Sequence, residues 1–63
     1  MTAPDPRELA VAAAIRDACL AAAKDAYEAA GISGLCAEGR WENALGAIET
    51  LDLGAALKKT DII

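Results

Sequence analysis

The sequence predicts an all-α fold: an antiparallel helical hairpin, with a long helix at about 6–30 and a second at about 34–52, completed to a four-helix bundle by dimerisation. Three observations carry this expectation. An alanine-rich run reaches from Pro6 to Ala30 with no glycine or proline after its first residue. A short glycine-bounded connection, Gly31-Ile32-Ser33-Gly34, then separates it from a second helical pattern. Finally, the apolar arc of the long helix is wider than one neighbouring helix needs.

The long helix has chemical punctuation at both ends. Asp5, Pro6 and Glu8 form an Asp-x-x-Glu start with proline in the first turn, where its missing N–H is harmless and carboxylates suit the positive end of the helix. Gly31 reads as the left-handed stop, with Ile32 folding back on the last turn. Alanine loses no side-chain entropy, so local propensity agrees with the boundaries. At 100° per residue, Arg7, Asp17, Lys24, Asp25 and Glu28 share a solvent arc, and Leu9, Val11, Ile15, Cys19, Leu20 and Tyr27 lie opposite with many of the alanines. Arg16 projects into the apolar arc, either as a snorkelling stem or as an ion-pair partner for Glu38, Glu42 or Glu49 across an interface.

Ser33 is placed to cap the second helix from Gly34 or Leu35, and so short a connection makes the two helices antiparallel neighbours. The apolar stripe of this helix changes phase at Gly39, which predicts a kink or break there. Before Gly39 the stripe is Leu35 and Cys36; after it, Trp41, Ala44, Leu45, Ile48 and Leu51. Gly46 and Ala47 offer close approach to another helix, and Gly54 reads as the capping glycine. The stretch Glu38-Gly39-Arg40-Trp41-Glu42-Asn43-Ala44, with Ile48 and Leu51 beyond it, resembles the turn and second helix of a tetratricopeptide repeat. The resemblance covers about a quarter of the chain and has no second copy, so what it implies is shared helix-hairpin physics.

The rest of the chain reads as accessory. Residues 1–4 form a frayed lead and 55–63 a tail, partly helical through Leu57, with Ile62 and Ile63 available to dock. Sixty-three residues make one small domain whose lone core is marginal, which is the argument for oligomerisation or a larger partner.

A net charge of −4, with six scattered Lys and Arg, argues against nucleic acid, and charges interrupt every apolar run before membrane-spanning length. Met1 to Pro6 carries no basic stretch of a secretory leader, so the expected address is cytoplasmic. Cys19 and Cys36 are expected as reduced thiols, since a hairpin closed near Gly31 holds them roughly 12 Å apart along the first helix, beyond disulfide reach. Cys36, near a helix start, retains a redox reading.

Catalysis has little to work with: the chain contains no histidine, and Ser33, its one serine, is accounted for by capping. No metal-ligand spacing and no phosphate loop is present, so no catalytic residue, cofactor or metal is expected. The leading functional expectation is a non-catalytic helical accessory or adaptor that self-associates or binds a larger protein. Its interface residues are Val11, Ile15, Arg16, Cys19, Leu20 and Tyr27 of the first helix, Trp41, Leu45 and Ile48 of the second, and Ile62 and Ile63 of the tail. Two alternatives stand beside it: a small acidic, antitoxin-like regulator of a basic target, and a carrier of a small apolar ligand near Trp41, Tyr27 and Cys36. Trp41, the largest apolar side chain, is expected to anchor either the intrachain packing near Leu20 and Ala23 or the subunit interface, with Trp41→Ala costing about 3 to 5 kcal/mol if enclosed, against a competing reading in which it is exposed at a partner site.

Overall fold

The computed structural model describes residues 3–59 as three helices: α1 (Pro6–Ile32), α2 (Ala37–Glu49) and α3 (Leu53–Lys58). Asp5 starts α1 as expected, its carboxylate accepting from the backbone N–H groups of Arg7 at 2.7 Å and Glu8 at 3.0 Å. These bonds favour the ionised form and hold the Asp5 pKa below its ordinary value, the Glu8 N–H being the larger cause.

The stop of α1 differs from the sequence reading. Gly31 and Ile32 continue the helix, Ser33 is its C-cap, and the left-handed residue is Gly34, at φ +89°. Leu35 N–H donates to Ala30 O and Gly34 N–H to Gly31 O, both at 3.0 Å, which is the Schellman pattern displaced by three residues. The reason lies across the hairpin. A Cβ at Gly31 would stand 2.9 Å from the guanidinium carbon of Arg40, so this glycine serves close approach within the helix and leaves the turn to Gly34. Ile32 does not fold back; it is 88% exposed.

Two further boundaries move. Ser33 is spent on the end of α1, and Cys36 is the N-cap of α2, without a side-chain cap bond. No break occurs at Gly39, because α2 runs through it. The missing side chain there is filled by Leu35, whose Cδ2 lies 2.7 Å from the Cβ position. The phase change marks a packing exchange between turn and helix. At the far end Thr50 closes α2, its hydroxyl donating to Gly46 O at 2.9 Å. Gly54, expected to end this helix, instead lies inside α3, which Asp52 caps by accepting from Ala55 N–H at 3.0 Å. Among the described residues no other element stands within 4 Å of a Cβ position at Gly46, so none of the described helices makes a close approach there.

The two-helix hairpin is therefore corrected to a three-helix bundle in which α2 and α3 both pack on α1. The third helix comes from the chain itself, through the Asp52 cap, and the four-helix bundle completed by dimerisation is set aside with the hairpin on which it rested. Of the lead, Ala3 and Pro4 have no regular structure, while Met1, Thr2 and the tail residues Thr60 to Ile63 lie outside the described residues.

The core is small. Among the described residues the buried apolar ones are Ala30, Ala44 and Ala56, one from each helix. Alanine lets helix axes approach closely but buries little area. The chain spans 45 × 29 × 14 Å along its principal axes. It exposes 5043 Å², against about 3,800 Å² for a compact chain of its mass. α2 and α3 pack on different sides of α1 and not on each other, so the two broad faces of the α1–α2 pair differ.

Candidate functional site: an open apolar face

On one broad face, α1 and α2 bound a shallow groove of about 290 Å³, lined by Ala23, Lys24, Tyr27 and Glu28 of α1 and Trp41 and Ala44 of α2. Ala44 forms its floor, buried against α1, and Trp41 stands three residues earlier on the flank of the same helix. Trp41 is 59% exposed, so of its two expected roles the intrachain anchor is the one corrected. The alanines opposite it are too short to enclose an indole, and α3 packs on α1 and not on α2.

The face extends well beyond the groove. On α2, Trp41, Leu45 and Ile48 follow at i, i+4 and i+7, the spacing of one helical stripe, and all three are exposed. Leu9, Ala13, Arg16, Leu20, Ala23 and Tyr27 of α1 step by four and three residues in alternation, a heptad seam about 27 Å long. Leu9, Leu20 and Tyr27 are exposed, and Ala13 and Ala23 half-buried. Reading α1 as one wide arc hid this seam: the regular 4-3 spacing was the available signal, and it separates an outer stripe from the inner positions. Val11, Ile15 and Cys19 are those inner positions, half-buried under the other helices.

Arg16 lies within the seam and pairs with its neighbour Asp17 at 3.4 Å, both side chains about 70% exposed. It reaches none of Glu38, Glu42 and Glu49. Arg40 is turned the other way. Its guanidinium lies 5.7 Å from the Tyr27 ring centroid and its Nε donates to Leu35 O at 3.1 Å, so this α2 cation is held at the C-terminal end of α1, where positive charge suits the helix dipole.

The opposite broad face is different. There α3 covers α1 beside Ala18 and Ala21, and the hollows around Ala14, Ala18 and Ala21 are edged by Asp17, Asp52 and Lys59.

Both cysteines are free thiols, Cys19 half-buried and Cys36 exposed. The backbone N–H groups of Gly39 and Glu38, at the start of α2, face the Cys36 sulfur and hold its pKa below the ordinary thiol value. Cys36 does not line the groove that Trp41 and Tyr27 share. Among the described residues no group of three His, Cys, Asp or Glu side chains is placed to hold a metal ion, and no helix is long and apolar enough to cross a membrane. No protein family, curated protein or solved structure matches the chain.

What this face presents is apolar area. Leu9, Leu20, Tyr27, Trp41, Leu45 and Ile48 are all exposed large apolar side chains, and a contiguous gathering of these is the kind of patch that marks an interaction site.

Proposed function

We propose that the chain is a non-catalytic adaptor that works by burying the Trp41 face against another protein. The observation that carries this reading is the exposure of Trp41 beside Tyr27, Leu20, Leu45 and Ile48 on a single face. Large apolar side chains gathered in one patch are costly in water, and tryptophan at a pocket edge is the side chain most often found at binding hot spots. The helices supply the rigid backing such a surface needs.

A small apolar ligand seated between Trp41 and Tyr27 is the weaker reading. At about 290 Å³ the groove lies at the bottom of the range for ligand sites, and the face continues along both helices far past it.

Photo-crosslinking tests the proposal. A benzophenone side chain is placed at Leu45 or Leu20 on the open face, and at Ala14 or Asp25 away from it, in cells that make the protein. The adaptor reading expects discrete protein adducts from positions 45 and 20 and none from 14 and 25. Equal labelling from all four positions, or no protein adduct from either face position, would count against it.

A further inference from the structure

We infer that the occupant of the Trp41 face is an amphipathic helix of a partner protein carrying lysine or arginine along one flank. This deepens the adaptor reading and rests on it. The groove between α1 and α2 and the heptad seam beside it give a track about 27 Å long, which matches a helix of about eighteen residues. The chemistry of the track's edges then selects the partner.

On α2, Glu38, Glu42 and Glu49 lie in one narrow arc bordering Leu45 on the side away from α1, and all three are exposed. The α2 cation that stands next to them in sequence, Arg40, is committed to Leu35 O and to the Tyr27 ring. Among the described residues the ion pair is Arg16 with Asp17, and the three glutamates take part in none. The track's floor is therefore apolar apart from Arg16, which pairs with Asp17, and its α2 edge is acidic, with no ion pair to Glu38, Glu42 or Glu49 among the described residues. The α1 edge is mixed, Lys24 standing between Asp17 and Glu28 at helical spacing. A helix with leucine-like residues facing Leu20, Ala23, Tyr27, Trp41, Leu45 and Ile48, and basic residues facing Glu38, Glu42 and Glu49, satisfies both parts at once. A helix with acidic flanks sets like charges against the α2 edge.

The experiment uses the full chain and two synthetic eighteen-residue helical peptides with identical leucine faces, one carrying lysine and the other glutamate on its remaining positions, titrated by calorimetry. The lysine peptide is expected to bind one-to-one and at least about tenfold more tightly than the glutamate peptide at low salt, with the preference shrinking as salt rises. In the Glu38→Gln, Glu42→Gln, Glu49→Gln triple variant the preference falls to about twofold or less, while the leucine-face contribution persists. These glutamates are exposed and make no bond within the fold, so circular dichroism of the variant is expected to match the parent. Equal binding of the two peptides, or an unchanged preference in the triple variant, overturns the basic-helix inference while leaving the adaptor reading standing. Peptide binding that Trp41→Ala leaves undiminished overturns the adaptor reading itself. Exclusion of both peptides because two copies of the chain already cover each other's Trp41, seen as a stable dimer in sedimentation equilibrium, overturns the basic-helix inference in favour of a second copy.

Discussion

The guanidinium carbon of Arg40 lies 2.9 Å from the position a Cβ at Gly31 would occupy, so α1 and α2 meet at their hairpin end through an arginine laid on a glycine. The contact has two opposed consequences for Gly31→Ala. Alanine gains about 0.8–1 kcal/mol over glycine within a helix. The new methyl also displaces the guanidinium from Leu35 O and the Tyr27 ring. The net effect on stability should be within about 1 kcal/mol of zero. In an Arg40→Ala background the same substitution should stabilise by nearly the full propensity gain. Urea unfolding of the four proteins of this cycle measures the coupling, and identical Gly31→Ala effects in both backgrounds would show that the contact is not formed.

Two other glycines separate by backbone conformation. Gly34 holds φ at +89° and Gly46 sits in helical α2 with open space around it. Gly34→Ala should destabilise by about 1–2 kcal/mol, and Gly46→Ala should stabilise by about 0.5–1 kcal/mol. Thermal denaturation of the pair checks the order; a reversed order would place the chain reversal elsewhere.

Asp5 gives α1 a pH dependence. Its folded-state pKa is depressed by the N–H groups of Glu8 and Arg7. Its contribution to helix stability is therefore complete above the ordinary aspartate pKa and is lost as pH falls through the lower folded value. Far-ultraviolet circular dichroism should show the N-terminal turns of α1 weakening on acidification. Asp5→Asn, which keeps an oxygen acceptor without the charge, should remove Asp5's share of that dependence; an unaltered acid titration in Asp5→Asn would rule the cap out as a contributor.

Crowding the alanine core should cost more than removing the largest apolar side chain. Ala44 is 5% exposed against α1, so Ala44→Leu forces the two helices apart and should destabilise by about 1–3 kcal/mol. Trp41→Ala removes a ring that is already largely in water and should change stability by about 1 kcal/mol or less. Denaturant midpoints decide between these values. A Trp41→Ala loss of several kcal/mol would restore the core-anchor role that the sequence suggested.

The parts of this fold that were legible are those set by chemistry local to a few residues. The Asp5-Pro6-Glu8 start is an example, because the capping carboxylate, the first-turn proline and the bonded N–H groups all lie within four positions. The stop was misread at Gly31 because a glycine needed for the approach of Arg40, nine residues later, looks the same in sequence as one needed for a positive φ. The third helix was legible only as a helical turn through Leu57 in the tail, and its start was missed for a related reason: Asp52-Leu53-Gly54 carries both a cap and a glycine, and only the fold of α3 back onto α1 shows that the aspartate starts a helix there. Of the candidate face, Leu20, Tyr27, Trp41, Leu45 and Ile48 were identifiable as apolar positions available for an interface. Which of them the chain covers for itself depended on where α2 and α3 pack on α1. Val11, Ile15 and Cys19 went inward, and Ile62 and Ile63 lie outside the described residues.

The central claim is that Trp41 stands on an open face awaiting a partner, and its own fluorescence tests this most directly. Emission and acrylamide quenching are recorded on the purified chain over a dilution series into the nanomolar range, with circular dichroism confirming that the helices persist. The open face predicts emission approaching that of solvated indole, with efficient quenching at the dilute end while the chain remains folded. Emission that stays blue-shifted and quencher-protected at every dilution would mean that the chain encloses Trp41 by itself, and would contradict the account.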